Sequence, residues 1–202
     1  MTPSAPREAR VPPAGHKSLG LNVLLDRVRG ERSFSILDLG PALEGNLRFW
    51  SQFSCRLHIR DFYRGYQEWQ EAAGPNKEPE EAAFSALLPF NDETVFDIIL
   101  AWDLFNYFDL RQLEALVQRL SRWCRPKTRL FALTSSQPHI PASPTIFKIL
   151  DREQMISEIP TRAIRPGPRH QPGDITRLMA RFTVAGSFLL HQGIQEYVFE
   201  FK

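Results

Sequence analysis

Ser33–Asn46 reads SFSILDLGPALEGN and Val95–Phe108 reads VFDIILAWDLFNYF. The first is a short apolar strand ending on Asp38, followed by a turn that holds Gly40 and Gly45. The second is a buried-looking strand that ends in a polar and aromatic loop. A strand that ends in Asp-x-Gly and opens onto a helix is how doubly wound α/β proteins hold a nucleotide-like ligand, because the turn lets the backbone approach it closely. The two stretches therefore predict a cofactor site, with an irregular glycine pattern.

Working outward, strands and helices alternate. Apolar residues near helical spacing predict a helix over Lys17–Arg29, stopped by Gly30. Ser33–Leu39 is the first strand, Leu47–Phe53 a short helix, and Cys55–Arg60 (CRLHIR) a second strand ending at Asp61. The polar stretch Gln67–Glu81, with Gly74-Pro75 and Pro79, predicts a broken helix and loop. Phe84–Leu88 is expected as a short strand and Phe96–Trp102 as the most buried one. Asp109 caps a helix whose apolar face is Leu110, Leu113, Leu116, Val117, Leu120 and Trp123, and Arg129–Thr134 is another strand. Seven of the sixteen prolines fall in 137–172, where one short helix is expected from Asp151, with Gln154 in capping-box spacing. Ile175–Phe182 predicts a helix. Thr183–Leu190 and Glu196–Phe201 predict a hairpin around Gln192-Gly193.

This alternation predicts an α/β fold: a doubly wound, mostly parallel sheet of the seven-stranded, Rossmann-like type, closed by a C-terminal antiparallel hairpin. The expected organisation is a flexible arm over 1–16 and one domain over 17–202, with 137–172 a proline-rich cap insertion.

Composition narrows the function classes. The chain has 202 residues, enough for one sizeable core, and is 43% hydrophobic and 24% charged, as soluble globular proteins are. A net charge of +2 gives no strong nucleic-acid signal. No apolar run approaches a membrane span, and the first residues lack the apolar core of a secretory signal, so the expected location is the cytoplasm. Two cysteines, Cys55 and Cys124, make no disulfide framework and are expected as buried thiols. The five histidines are scattered, and no metal set is expected.

Candidate chemistry gathers at the carboxyl ends of the strands. Gly40 can turn the backbone sharply and Gly45 can admit a ligand. Asp61 can accept two hydrogen bonds from a ribose diol, or simply cap the next helix. Asp103 is a candidate base or substrate anchor, or a local turn former. Tyr107 and Trp102 read more as wall than as chemistry. Arg152, Arg162, Arg165, Arg169 and His170 read as a lid favouring an anionic group, or as a solvated loop.

Over roughly Ser33–Lys202 the chain resembles the class I S-adenosylmethionine-dependent methyltransferases. The likeness rests on the acidic glycine loop and the acidic end of the second strand. It rests also on Leu88-Pro89-Phe90 followed by Phe96-Asp97-Ile98-Ile99, on the proline after the Leu120 helix, and on the closing hairpin. The resemblance implies S-adenosylmethionine as cofactor. It implies Asp38, Gly40, Pro41 and Gly45 at the methionine end, Asp61 on the ribose, Phe62 on the adenine, Phe90 at the adenine edge and Trp102 as wall. Asp103 and Tyr107 are then the candidate catalytic groups, and the partner is an unidentified methyl acceptor, either a small molecule or a protein. Pro41 and Ala42 interrupt the family's glycine pattern, and Phe84-Ser85-Ala86 stands where an acidic residue often binds the adenine amine. These departures motivate an alternative, a catalytically inactive methyltransferase-like binding or assembly protein. A nicotinamide dinucleotide enzyme is disfavoured because Gly-x-Gly-x-x-Gly is missing.

Overall fold

The computed structural model describes residues 13–26, 33–74, 80–168, 170–190 and 193–202. Its central sheet has six strands in the order β3-β2-β4-β5-β11-β10. These are β2 (Phe34–Asp38), β3 (Cys55–Ile59), β4 (Ile98–Trp102), β5 (Arg129–Ser135), β10 (Phe182–Leu189) and β11 (Ile194–Phe201). β3, β2, β4 and β5 pair in parallel, and β11 lies antiparallel between β5 and β10. The doubly wound sheet with its closing hairpin is thus as expected.

The sheet is covered on both faces because successive side chains of a strand point to opposite sides. Leu37, Ile99, Ala101, Leu130 and Ala132 pack on one face with α3 (Phe62–Ala73), α4 (Glu80–Leu87), α5 (Leu110–Ser121) and α6 (Pro172–Leu178). Ile36, Ile98, Leu100, Phe131 and Leu133 pack on the other with α1 (Leu19–Leu25) and α2 (Glu44–Trp50). Every residue of β4 is buried, which is why its sequence is apolar without alternation. α5 starts where the Asp109 carboxylate accepts from the Gln112 backbone N–H and the Gln112 side chain accepts from the Asp109 N–H. Asp97, of the motif that resembles the family's, pins the lower edge: its N–H donates to the Ser35 carbonyl, its carboxylate accepts from the Ser35 N–H, and it pairs with Arg125.

Several expectations are corrected. Phe84–Leu88 is not a strand: Glu80–Leu87, rich in Glu, Ala and Leu, is helical, as those propensities favour. Residues 14–17 are not part of an arm but form β1, paired with β8. The Asp151 helix is also absent. Asp151 instead closes a tight turn by accepting from the Glu153 and Gln154 N–H groups, and Gln154–Glu158 is strand β8. The proline-rich segment folds mostly as short strands: β7 (Ile146–Ile149) joins β8 and β1 in a small antiparallel sheet, and β6 (His139–Pro141) pairs with β9 (Ile164–Pro166). Cys55 and Cys124 are free and half-buried rather than fully buried, each S–H donating to a backbone carbonyl. Glu196 is wholly buried in β11 and accepts from the Gly20 N–H at 2.8 Å. Gly30, Pro75, Pro79, Arg169 and Gln192 lie outside the described residues.

Candidate functional site

The connection after β2 leads to β3 on one side, whereas β4 lies on the other, so the chain reverses its winding at the carboxyl ends of β2 and β4. Open α/β sheets hold their ligands at this point, because diverging loops leave a crevice there. A cavity of about 420 Å³ lies at this edge, within the size range of small-molecule sites. Its floor is Leu39, Gly40 and Pro41 after β2 together with Ala101–Leu104 after β4. One wall is Asp61, Tyr63, Arg64 and Gln67, and the other is Ser143–Phe147 and Pro160 of the cap.

Asp61 ends β3 and stands at the N-cap of α3, yet its side chain makes no capping hydrogen bond. Its carboxylate is solvent-accessible, and burial of its inner side raises its pKa against the pull of the Arg64 backbone and guanidinium. Its carboxylate stands in the cavity wall with the Arg64 backbone N–H drawn to it and acceptor capacity left over. Arg64 and Gln67 follow at helical spacing on the same side of α3. The sequence reading passed over both, although the three-residue spacing from Asp61 was visible.

Asp38 is turned inward. Its Oδ1 accepts from the Gly40 N–H at 2.9 Å and from the Trp102 indole N–H at 2.7 Å, and burial, outweighing these bonds, raises its pKa to about 6. It braces the loop and does not line the cavity. Gly40 is needed for close approach: a Cβ there would lie 2.9 Å from both Trp102 Cδ1 and Nε1. Trp102 has a φ of +49°, a conformation that costs a non-glycine residue of order 1–3 kcal/mol and persists only where its surroundings impose it. Those surroundings are the Asp38 bond, Gly40 beneath the indole, and Phe147 stacked on it at 5.5 Å between centroids and 9° between planes.

Asp103 and Tyr107, expected as catalytic groups, are both bonded to the cap, and Asp103 also lines the cavity. Asp103 is buried and accepts from the Thr145 N–H at 3.0 Å; burial raises its pKa to about 6. The Tyr107 hydroxyl donates to the Ser143 carbonyl at 2.8 Å, does not line the cavity, and has its pKa raised by burial first and by Asp103 second. A third tie was missed by sequence reasoning. Asn46, 3% exposed, donates from Nδ2 to the Phe147 carbonyl at 3.0 Å and accepts from the Ile149 N–H at 2.8 Å. Its amide thus pairs with the edge of β7 as a neighbouring strand would, and only the distant partner makes this visible.

Phe62, Phe90 and Gly45 lie elsewhere. Phe62 is 1% exposed and packs against Phe84 and Phe108, so its ring is unavailable to an adenine. Phe90 packs edge-on against His58, Phe96 and Trp123 with Arg60 over its ring, away from the cavity. Gly45 sits in the first turn of α2, where a Cβ would touch nothing, and it does not line the cavity. Pro41 and Trp102 line it as expected. Of the cap arginines, Arg152 donates to the Leu25 carbonyl, Arg165 lies over the Tyr107 ring near the Tyr63 hydroxyl, and Arg162 is exposed. None of these three lines the cavity, and Arg64 is the cation that does. Among the described residues no His, Cys, Asp and Glu cluster could hold a metal.

An adenosyl cofactor fits this site at one end. The open Asp61 carboxylate suits a vicinal diol, whereas the face of Gly40 that a doubly wound protein leaves bare for its ligand is covered by the protein's own indole.

No family model matches the chain, and no curated protein matches it. Solved structures do. The PH0226 protein from Pyrococcus horikoshii OT3 is 14% identical with a TM-score of 0.52, over 89% of this chain and 88% of that one. A protein from Rhodobacter sphaeroides described as a Zn-dependent alcohol dehydrogenase is 10% identical with a TM-score of 0.53, over 91% and 89%. The CcbJ methyltransferase from Streptomyces caelestis is 10% identical with a TM-score of 0.50, over 91% and 94%. With the strand order and the antiparallel β11, the likeness to the CcbJ methyltransferase gives the chain a methyltransferase-type fold.

Proposed function

We propose that the chain is an S-adenosylmethionine-dependent methyltransferase acting on a small-molecule or protein acceptor. The observation that carries this reading is Asp61: an exposed carboxylate at the end of β3, with acceptor capacity beyond its tie to the Arg64 backbone, in the wall of the cavity at the switch point of this fold. Asp61 would accept from the ribose diol, and Leu39, Pro41 and Leu104 would flank the nucleoside. When bound, the cofactor supplies a methyl group on a cationic sulfur, and transfer needs chiefly proximity and orientation of the acceptor. The chain's part is to exclude water with the cap strand, which Asp103, Tyr107 and Asn46 hold in place. Arg64 and Gln67 face the open side, where they can orient a polar acceptor.

Trp102 favours a second reading, a catalytically inactive methyltransferase-like binding or assembly protein, because its indole covers Gly40. Calorimetric titration of the full chain with S-adenosylmethionine and S-adenosylhomocysteine tests the first reading. Saturable one-to-one binding of both is expected, and failure of both to bind leaves only the second reading.

A further inference from the structure

We propose that Trp102 is a specificity-determining residue, whose indole competes with the amino-acid tail of an adenosyl ligand for the face of Gly40 while leaving the nucleoside end of the cavity open. The inference rests on the reading that Asp61 receives a ribose, and it adds a rank order of ligands.

Three independent contacts hold the indole in place. Its N–H donates to the buried Asp38 carboxylate at 2.7 Å. One ring face lies flat on Phe147, whose own backbone is clamped by Asn46. The atoms Cδ1 and Nε1 lie over Gly40, within 2.9 Å of where a side chain would begin. The backbone N–H of Gly40 is also committed, since it donates to Asp38, so a ligand carboxylate reaching this turn finds neither room nor that donor. Asp61, Tyr63, Arg64 and Gln67 stand on the other wall and take no part in this closure. A nucleoside can thus enter with the indole in place. A ligand that carries the aminocarboxypropyl chain must first detach the indole from both Asp38 and Phe147. Its apparent affinity is lowered by the fraction of molecules in which the indole has left.

The test compares adenosine with S-adenosylhomocysteine by calorimetry, on the parent and on Trp102→Gly, a substitution that also removes the positive-φ strain at this position. Removing the indole is expected to tighten S-adenosylhomocysteine by about tenfold or more, the scale of one ring stack plus one charge-assisted hydrogen bond, and to move adenosine by less than about threefold. Phe147→Ala is the second variant, in case the first does not fold. It removes the stack from the cap side and should shift the two ligands' ratio in the same direction. If adenosine binds the parent but both ligands change by the same factor, or S-adenosylhomocysteine does not tighten, Trp102 is only wall and the inference is overturned by itself. If neither ligand binds the parent or either variant, the ribose site is overturned and this inference falls with it.

Discussion

Asp103→Asn should flatten the pH dependence of stability. Asp103 is buried at the end of β4, and its pKa is raised from the ordinary 3.8 to about 6, burial outweighing its bonds to Thr145. Between these two values the folded protein keeps a proton that the unfolded chain has released. Unfolding therefore releases a proton, and raising the pH favours the unfolded state. The stability associated with the neutral carboxyl is fully present below about pH 4 and is lost as the pH rises through about 6, amounting to about 3 kcal/mol for this group. The amide of Asn keeps an oxygen to accept from the Thr145 N–H and carries no charge at any of these pH values. Urea unfolding at pH 4, 5, 6 and 7, with the slope checked for constancy, measures the difference. Relative to the variant, the parent should lose about 2 kcal/mol between pH 4 and 7, with most of the change below pH 6.5. Parallel curves would refute the argument, and a parent that gains stability over the variant as the pH rises would reverse its sign. Asp38, also raised to about 6, should make Asp38→Asn behave alike.

Three further outcomes are expected. Asp61→Ala should weaken S-adenosylhomocysteine binding by about 1–3 kcal/mol in calorimetry while the protein stays folded, since its side chain is exposed. Gly40→Ala should destabilise by about 1–3 kcal/mol in chemical denaturation, because its methyl group would meet the Trp102 indole and the Asp38 carboxylate, and Trp102→Gly should relieve part of that loss in the double variant. Asn46→Ala leaves the Phe147 carbonyl and the Ile149 N–H without their partner, so it should cost about 2–4 kcal/mol and speed amide exchange at Ile149.

The parts of the fold legible in the sequence were those set by local pattern. The unbroken apolar run of β4, the alternation of β3 and the capping box at Asp109 each carry their own signal within a few residues. β1 and β8 do not: Ala14 pairs with Ser157 and Lys17 with Gln154, so neither strand can be read without the other. The Glu80–Leu87 helix was legible in its glutamates and alanines, but the apolar residues of Phe84–Leu88 taken alone read as a strand. At the site, the Asp-x-Gly turn and Asp61 were visible because the chemistry lies in adjacent residues. Phe62 and Phe90 were placed by analogy, but Phe84 and Phe108 take up the ring of the first, and Phe96 and Trp123 that of the second. The pairing of Trp102 with Phe147 joins two loops far apart in sequence, and nothing local announces it.

The central claim is that the cavity at the switch point receives an adenosyl ribose on Asp61. A crystal structure of the full chain with S-adenosylhomocysteine tests this most directly. The account expects both ribose hydroxyls within hydrogen-bonding distance of the Asp61 carboxylate, with the Trp102 indole detached from Asp38. A ligand bound elsewhere, or bound here with Asp61 making no contact to the ribose, would contradict it.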